Sequence, residues 1–266
     1  MSAKKPVADP DIEPEYDFRD SVPNRRGHPA PPVPPVRGRG TMTRMTTPVA
    51  PGTTLIDAAT IGEAWVRVAA RILAVGVPAR WGPLPTRELP RLTLAVASAD
   101  PDDPVIARHG DPAWLAWMRA NFREPARVRE LGGADSYATR LRDWSHTGRD
   151  QVAWLVDRLR ADPGARDATI TTFQPPTDET YVPCVSLIDA WAPDGALEMI
   201  VYAHSLDFGK KAYGNLVELA SLQQEIAHRV GLRAGGLVLH TKTAHIYEPE
   251  LDLMAGLIAA EGAGLA

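Results

Sequence analysis

Pro183-Cys184-Val185-Ser186-Leu187-Ile188-Asp189-Ala190-Trp191-Ala192-Pro193-Asp194-Gly195-Ala196-Leu197-Glu198-Met199-Ile200-Val201-Tyr202-Ala203-His204-Ser205-Leu206-Asp207 is the stretch that decides how this chain folds. Val185 to Ala192 and Leu197 to Tyr202 read as strands, and Pro193-Asp194-Gly195 between them is a strong hairpin turn signal. Downstream, Leu216, Leu219, Leu222, Ile226 and Val230 recur at helical spacing and mark one buried face. Gly231 ends that helix, and Leu237 to Thr243 returns as a strand. Upstream, the β-branched run Ala168 to Phe173 reads as a further strand.

The N-terminal side is helical in pattern. Thr60-Ile61-Gly62-Glu63 has capping-box spacing, with Trp65, Val68, Ala69 and Ile72 on one face behind it. Gly76 to Pro83 reads as a turn-rich loop and Leu92 to Ala97 as a strand. Asp111-Pro112 is a helix cap followed by proline at the first helical position, and that helix carries Trp114, Trp117 and Met118 inward. Another helix runs from about Asp150 to Arg160, with Val152, Leu155, Val156 and Leu159 apolar. Helices beside a mostly antiparallel or mixed sheet make an α+β domain. Residues 1–51 read as a disordered tail, with polyproline II favoured at Pro29 to Pro35 and local basic charge from Arg25, Arg26, Arg37 and Arg39. The expected folded domain is 52–266, and the tail reads as a solvated linker rather than a docking arm.

The chain has 266 residues and a formal net charge of -4, so no global nucleic-acid footprint is expected. No apolar run approaches the roughly 20 residues that span a bilayer, and the N-terminus lacks the apolar core of a signal peptide. No membrane association is therefore expected. A single cysteine and no export signal point to the cytoplasm. The same count argues against a closed zinc site, so no metal is expected. His146, His228 and His240 read as surface or core histidines, and Lys210-Lys211 as a solvated turn. Cys184 is open to two readings: a small buried hydrophobe, or a thiolate nucleophile.

The order Pro183-Cys184, His204-Ser205-Leu206-Asp207, Asn215, His245-Ile246-Tyr247 resembles that of the thymidylate synthase family, folate-dependent enzymes that methylate C5 of a pyrimidine nucleotide. The resemblance implies a mixed β-sheet flanked by helices and a homodimer packed sheet to sheet. It implies Cys184 as the nucleophile that adds to C6 of the ring, making C5 enolate-like. Such chemistry needs a thiol with a depressed pKa. Asn215 would read N3–H and O4 of the base, and asparagine rather than aspartate there leans toward uracil; the same residue also reads as a helix N-cap. The resemblance further implies sugar binding by His245 and Tyr247, phosphate binding by Ser205, His204 and Arg166, a pterin contact by Asp207, and an active-site tyrosine at Tyr137. The implied cofactor is 5,10-methylenetetrahydrofolate and the implied partner a pyrimidine nucleoside monophosphate.

The departures are specific. His204 stands where the family has an arginine, and histidine grips phosphate only when protonated. Asp167 beside Arg166 repels phosphate. Arg80 or Arg87 is a loose substitute for the family's loop arginine. Trp114, in Trp114-Leu115-Ala116-Trp117-Met118, falls at the place of the catalytic glutamate, and Val185 replaces a histidine. The chain ends at Ala266, short of the family's C-terminal lid over folate. Two functions follow: C5 methylation or hydroxymethylation through a Cys184 adduct, or a catalytically silent nucleotide-binding homolog acting as sensor or dimeric partner. An acid such as Glu88 reaching the pocket favours the first; Trp114 alone there favours the second.

Overall fold

The computed structural model describes residues 52–262 apart from 176 and 180. The tail expected over 1–51 lies outside the described residues. The elements in order are β1 (Thr54–Thr60), α1 (Ile61–Val75), β2 (Val77–Trp81), β3 (Leu84–Ser98), α2 (Pro104–His109), α3 (Pro112–Arg123), the short strands β4 (Arg127–Val128) and β5 (Ala134–Asp135), α4 (Tyr137–Arg142), α5 (Gln151–Ala161), β6 (Thr169–Thr171), β7 (Val185–Trp191), β8 (Ala196–Asp207), α6 (Ala212–Val230), β9 (Arg233–Tyr247) and α7 (Leu251–Glu261).

The main sheet runs β1-β3-β9-β8-β7-β6, with β2 added against β3, and is mixed: β1·β3 and β8·β9 are parallel, the other pairs antiparallel. This is the expected α+β architecture. The β7–β8 hairpin closes at Gly195, whose φ of 75° suits the residue without a Cβ. Helix α6 then crosses from β8 to β9, as a parallel pair requires. The helix starts follow their caps: Thr60 Oγ1 accepts the Glu63 N–H, Asp111 Oδ1 those of Ala113 and Trp114, and Asp150 Oδ1 that of Ala153.

Three expectations are corrected. The segment Gly76 to Pro83 is not a loop but mostly the edge strand β2, which tolerates Pro78 because only one of its sides is paired. Strand β3 begins at Leu84 rather than Leu92. Pro90 falls where β2 has stopped pairing, at Glu88, and β1 has not begun, at Leu92. Of the three side chains expected inward on α3, Met118 is buried, whereas Trp114 and Trp117 are half-buried and stacked at 4.7 Å.

Helices α1, α5 and α6 pack on the sheet and bury Leu94, Val96, Met199, Val201, Leu237 and Leu239 beneath them. The period-2 alternation leaves the opposite face open. There Leu187 and Tyr202 lie directly across from each other, 38% and 42% exposed, with Trp191 45% exposed near the sheet edge. No helix among the described residues is long and apolar enough to cross a membrane.

Candidate active site

One end of the sheet collects the polar residues. The C-terminal ends of β8 and β9 run side by side, and the start of β3 lies antiparallel to β9. Asp207 is the register partner of His245 on one side and Glu88 on the other; Thr86 faces Tyr247. Directly paired residues project to the same side of a sheet. Ser205, Asp207, His245, Tyr247, Thr86 and Glu88 therefore share one face. Ser205 Oγ lies 3.2 Å from His245 Nδ1, and the His245 and Tyr247 rings meet edge to face at 5.1 Å. Burial pushes the His245 pKa down, against the pull of Asp207 and Glu88.

The turn after β8 is built on Asp207. Its Oδ1 accepts the N–H groups of Gly209 at 2.9 Å and Lys210 at 3.4 Å, and its carbonyl accepts that of Lys211 at 3.1 Å. The Trp65 indole N–H donates to the Phe208 carbonyl at 2.8 Å. Asn215 is not the helix cap: Lys211 holds that position, and Asn215 lies inside the first turn of α6, buried, with Nδ2 3.9 Å from Met118 Sδ. The apolar period begins later than the helix because Gly214 and Asn215 face α3 across a close approach. A Cβ on Gly214 would stand 2.8 Å from Trp114 Nε1. Trp114, whose indole N–H donates to the Lys211 carbonyl at 3.4 Å, thus sits at the start of α6.

Cys184 is half-buried just ahead of β7, and its carbonyl accepts the His204 N–H at 3.0 Å. The Val185 N–H donates to the Tyr137 hydroxyl at 3.0 Å. Tyr137 is itself fixed by a stack on Phe122 and by its N–H to Asn121 Oδ1. The segment leading to Cys184 is anchored at Asp178, which forms a bidentate pair with the buried Arg140 at 2.7 and 2.8 Å. Burial pushes the Cys184 thiol up; Lys211 pulls it down and Asp207 pushes it up. The depressed thiol that nucleophilic chemistry calls for is not the resting state.

The other residues singled out are placed differently. His204 lies on β8 one step from Ser205, on the face it shares with Lys242, its Nδ1 3.5 Å from Ser186 Oγ. Burial and Lys242 push its pKa down, so it is neutral at pH 7. Arg166 is exposed in the loop before β6, away from the end of the sheet where Asp207 and His245 meet. Its neighbour Asp167 is ion-paired with Arg158 at 2.7 Å. Arg87 donates to the Leu73 carbonyl at 3.2 Å, and Arg80 to that of Pro83. Sequence reasoning missed Glu250, buried beside Asp207, and read Lys211 as solvated turn although its charge is felt by Cys184, His245 and Glu250. The one available signal was their closeness to Asp207 and Tyr247 in the chain. Among the described residues, no group of three or more His, Cys, Asp or Glu could hold a metal ion.

The family model described as thymidylate synthase matches residues 96–263, which include Cys184, Asp207, Asn215, His245 and Tyr247. The chain belongs to the thymidylate synthase family. It is 30% identical over 155 residues to a provisionally named thymidylate synthase of Methanosarcina barkeri, covering 55% of this chain and 70% of that one. It is also 30% identical over 219 residues to a protein of the same provisional name from Methanococcoides burtonii, covering 77% and 94%. A thymidylate synthase of varicella-zoster virus is 30% identical over 109 residues, 40% of this chain and 36% of the viral one. At these identities the chain is a diverged family member.

Proposed function

We propose that the protein modifies C5 of a pyrimidine nucleoside monophosphate, uracil being the favoured base, by methylation or hydroxymethylation. The observation that carries this reading is the convergence of Ser205, Asp207, His245 and Tyr247 on one end of the sheet, beside the turn that leads into Asn215. The Cys184 thiol loses its proton and its sulfur adds to C6 of the ring, which turns C5 into a carbon nucleophile. After C5 has formed its new bond and lost its proton, the sulfur leaves and the ring double bond returns. Lys211 is the counter-charge that favours the thiolate against burial and Asp207. The Asn215 amide donates and accepts at O4 and N3–H. His245 and Tyr247 hold the sugar, and Ser205 the phosphate end. His204, on the other face of β8 beside Lys242, does not supply the grip on phosphate that an arginine would give.

The residues fit 5,10-methylenetetrahydrofolate as donor. The Asp207 carboxylate suits the N–H edge of a pterin, and the stacked, half-buried Trp114 and Trp117 give a flat apolar surface near the start of α6. When bound, that cofactor would supply the one-carbon unit and, for a methyl product, the hydride that reduces it, whereas a hydroxymethyl product would take water instead. The open face of the sheet, with Leu187, Trp191 and Tyr202 exposed, supports a sheet-to-sheet homodimer. In that dimer the exposed Arg166 serves the other protomer's pocket.

A second reading, a nucleotide-binding homolog without turnover, draws on Trp114 at the start of α6 and on the raised thiol. Glu88 beside His245 weighs against it, because it returns a carboxylate to the site. The deciding experiment is tritium release from C5-labelled dUMP, UMP, dCMP and CMP, with and without methylenetetrahydrofolate and with Cys184→Ser as control. Cys184-dependent release supports the enzyme and names base and sugar. Nucleotide binding without release from any of the four leaves the silent homolog.

A further inference from the structure

Beside the turn after β8 lies a second carboxyl group, Glu250, that the reaction above does not use. Asp207 and Glu250 are 6% and 5% exposed, and Asp207 Oδ2 and Glu250 Oε2 are both buried without a hydrogen-bond partner. The two carboxyl groups meet at Gly209, where a Cβ would stand 1.9 Å from Glu250 Oε2 and 3.1 Å from Asp207 Oδ1. Two ionised carboxylates placed so would repel each other, and each would leave a buried acceptor unsatisfied. A single proton between them removes both penalties.

We propose that Glu250 is a positioning residue for Asp207: it remains a neutral acid whose O–H donates to Asp207 Oδ2 and holds that carboxyl group in its orientation. With backbone N–H groups on Oδ1 and this proton on Oδ2, the carboxylate is fixed from both sides. The charged and titratable groups facing Glu250 are Asp207 from β8, Lys210 and Lys211 from the turn, and Tyr213 from α6. Burial and Asp207 push the Glu250 carboxyl up, to about 8, and the two lysines oppose them. Tyr213 stays neutral, its hydroxyl pushed up to about 12. The N-terminus of α7 favours a charge at Glu250, but the side chain makes no cap hydrogen bond there.

The sign of the pH effect follows. The folded chain keeps a proton that the unfolded chain releases above the ordinary glutamate range. The contribution is complete below that range, is lost progressively as pH rises to about 8, and changes no further above it. Glu250→Gln keeps a donor toward Asp207 but cannot titrate. We would measure unfolding of the wild-type protein and E250Q between pH 5 and 9. The expected result is that the wild-type folding constant falls, relative to E250Q, by about tenfold per pH unit up to about pH 8, the value for one proton. Parallel curves for the two proteins would overturn the proposal. If E250Q does not fold, Asp207→Asn serves instead: removing the anion moves the wild-type loss of stability to lower pH, and an unmoved profile overturns the proposal equally. A second arm, resting on the proposed C5 chemistry, is the pH profile of tritium release, expected to fall above about pH 8 in the wild type and not in E250Q. Absence of release from both proteins refutes the C5 reading alone, because the unfolding arm needs no substrate.

Discussion

The hydroxyl of Tyr137 accepts the N–H of Val185 at 3.0 Å, so the residue directly after Cys184 is tied to the first residue of α4. Tyr137→Phe leaves that buried N–H without an acceptor, at a cost of about 1–3 kcal/mol. Denaturant unfolding should show this loss. Alkylation of Cys184, the only thiol in the chain, should speed up as its anchor loosens. An unchanged unfolding midpoint would show that this hydrogen bond does not hold Cys184.

Asp178 anchors the same segment from the other end. Its bidentate partner Arg140 is 2% exposed and otherwise donates to the backbone carbonyls of Asp135 and Thr172. Asp178→Ala strands a buried guanidinium and should cost about 3–5 kcal/mol, as breaking a buried pair does. Thermal unfolding checks this; a loss under about 1 kcal/mol, as for an exposed pair, would contradict the buried geometry.

Cys184 and Lys211 form the electrostatic core of the proposed reaction. Burial holds the thiol up, so iodoacetamide alkylation should still be accelerating at the pH where a free cysteine levels off. Lys211→Met removes the counter-charge and should slow alkylation at pH 8 by roughly three- to tenfold, equivalent to about 1 kcal/mol of screened attraction. Equal rates in the two proteins would remove Lys211 from the site.

His245 gives the site an acid-side dependence. Its pKa is pushed down by burial, so the folded chain binds fewer protons than the unfolded chain below the ordinary histidine value near 6.5. Its contribution is present above that value and is lost as pH falls through the lower, folded value. His204, also pushed down, adds to the same slope. His245→Gln should flatten part of the fall in stability between about pH 6.5 and pH 5; an unflattened curve would refute the assignment.

The open face of the sheet predicts self-association. Tyr202→Arg places a charge among Leu187, Tyr202 and their β9 neighbour His240. Sedimentation should show the wild-type protein as a dimer and the variant shifted toward monomer. A monomeric wild type would dispose of the sheet-to-sheet dimer.

Much of this architecture is readable along the chain. The β7–β8 hairpin follows from its turn and its branched residues, α5 from four apolar positions that are all fully buried, and the end of α6 from Gly231. Each signal is local. The start of β3 was hidden because Pro85 and Pro90 argue against a strand, and only pairing with β2 at Pro85 and with β9 at Pro90 overrides them. Asn215 as a cap was a reasonable local reading. It fails because α6 begins earlier, where the turn on Asp207 and the Trp114 contact stop the chain from entering the helix later.

The sequence by itself determined the order and spacing of Cys184, Ser205, Asp207, Asn215, His245 and Tyr247, and the alternation that sends His245 and Tyr247 to one face. That information is local, since strand period and turn chemistry need only near neighbours. Tertiary structure alone decided that Glu88 stands across from His245, that Lys211 faces Cys184, and that Glu250 returns to Asp207. Those relations depend on strand register and on burial, which arise only when residues far apart in the chain exclude water together.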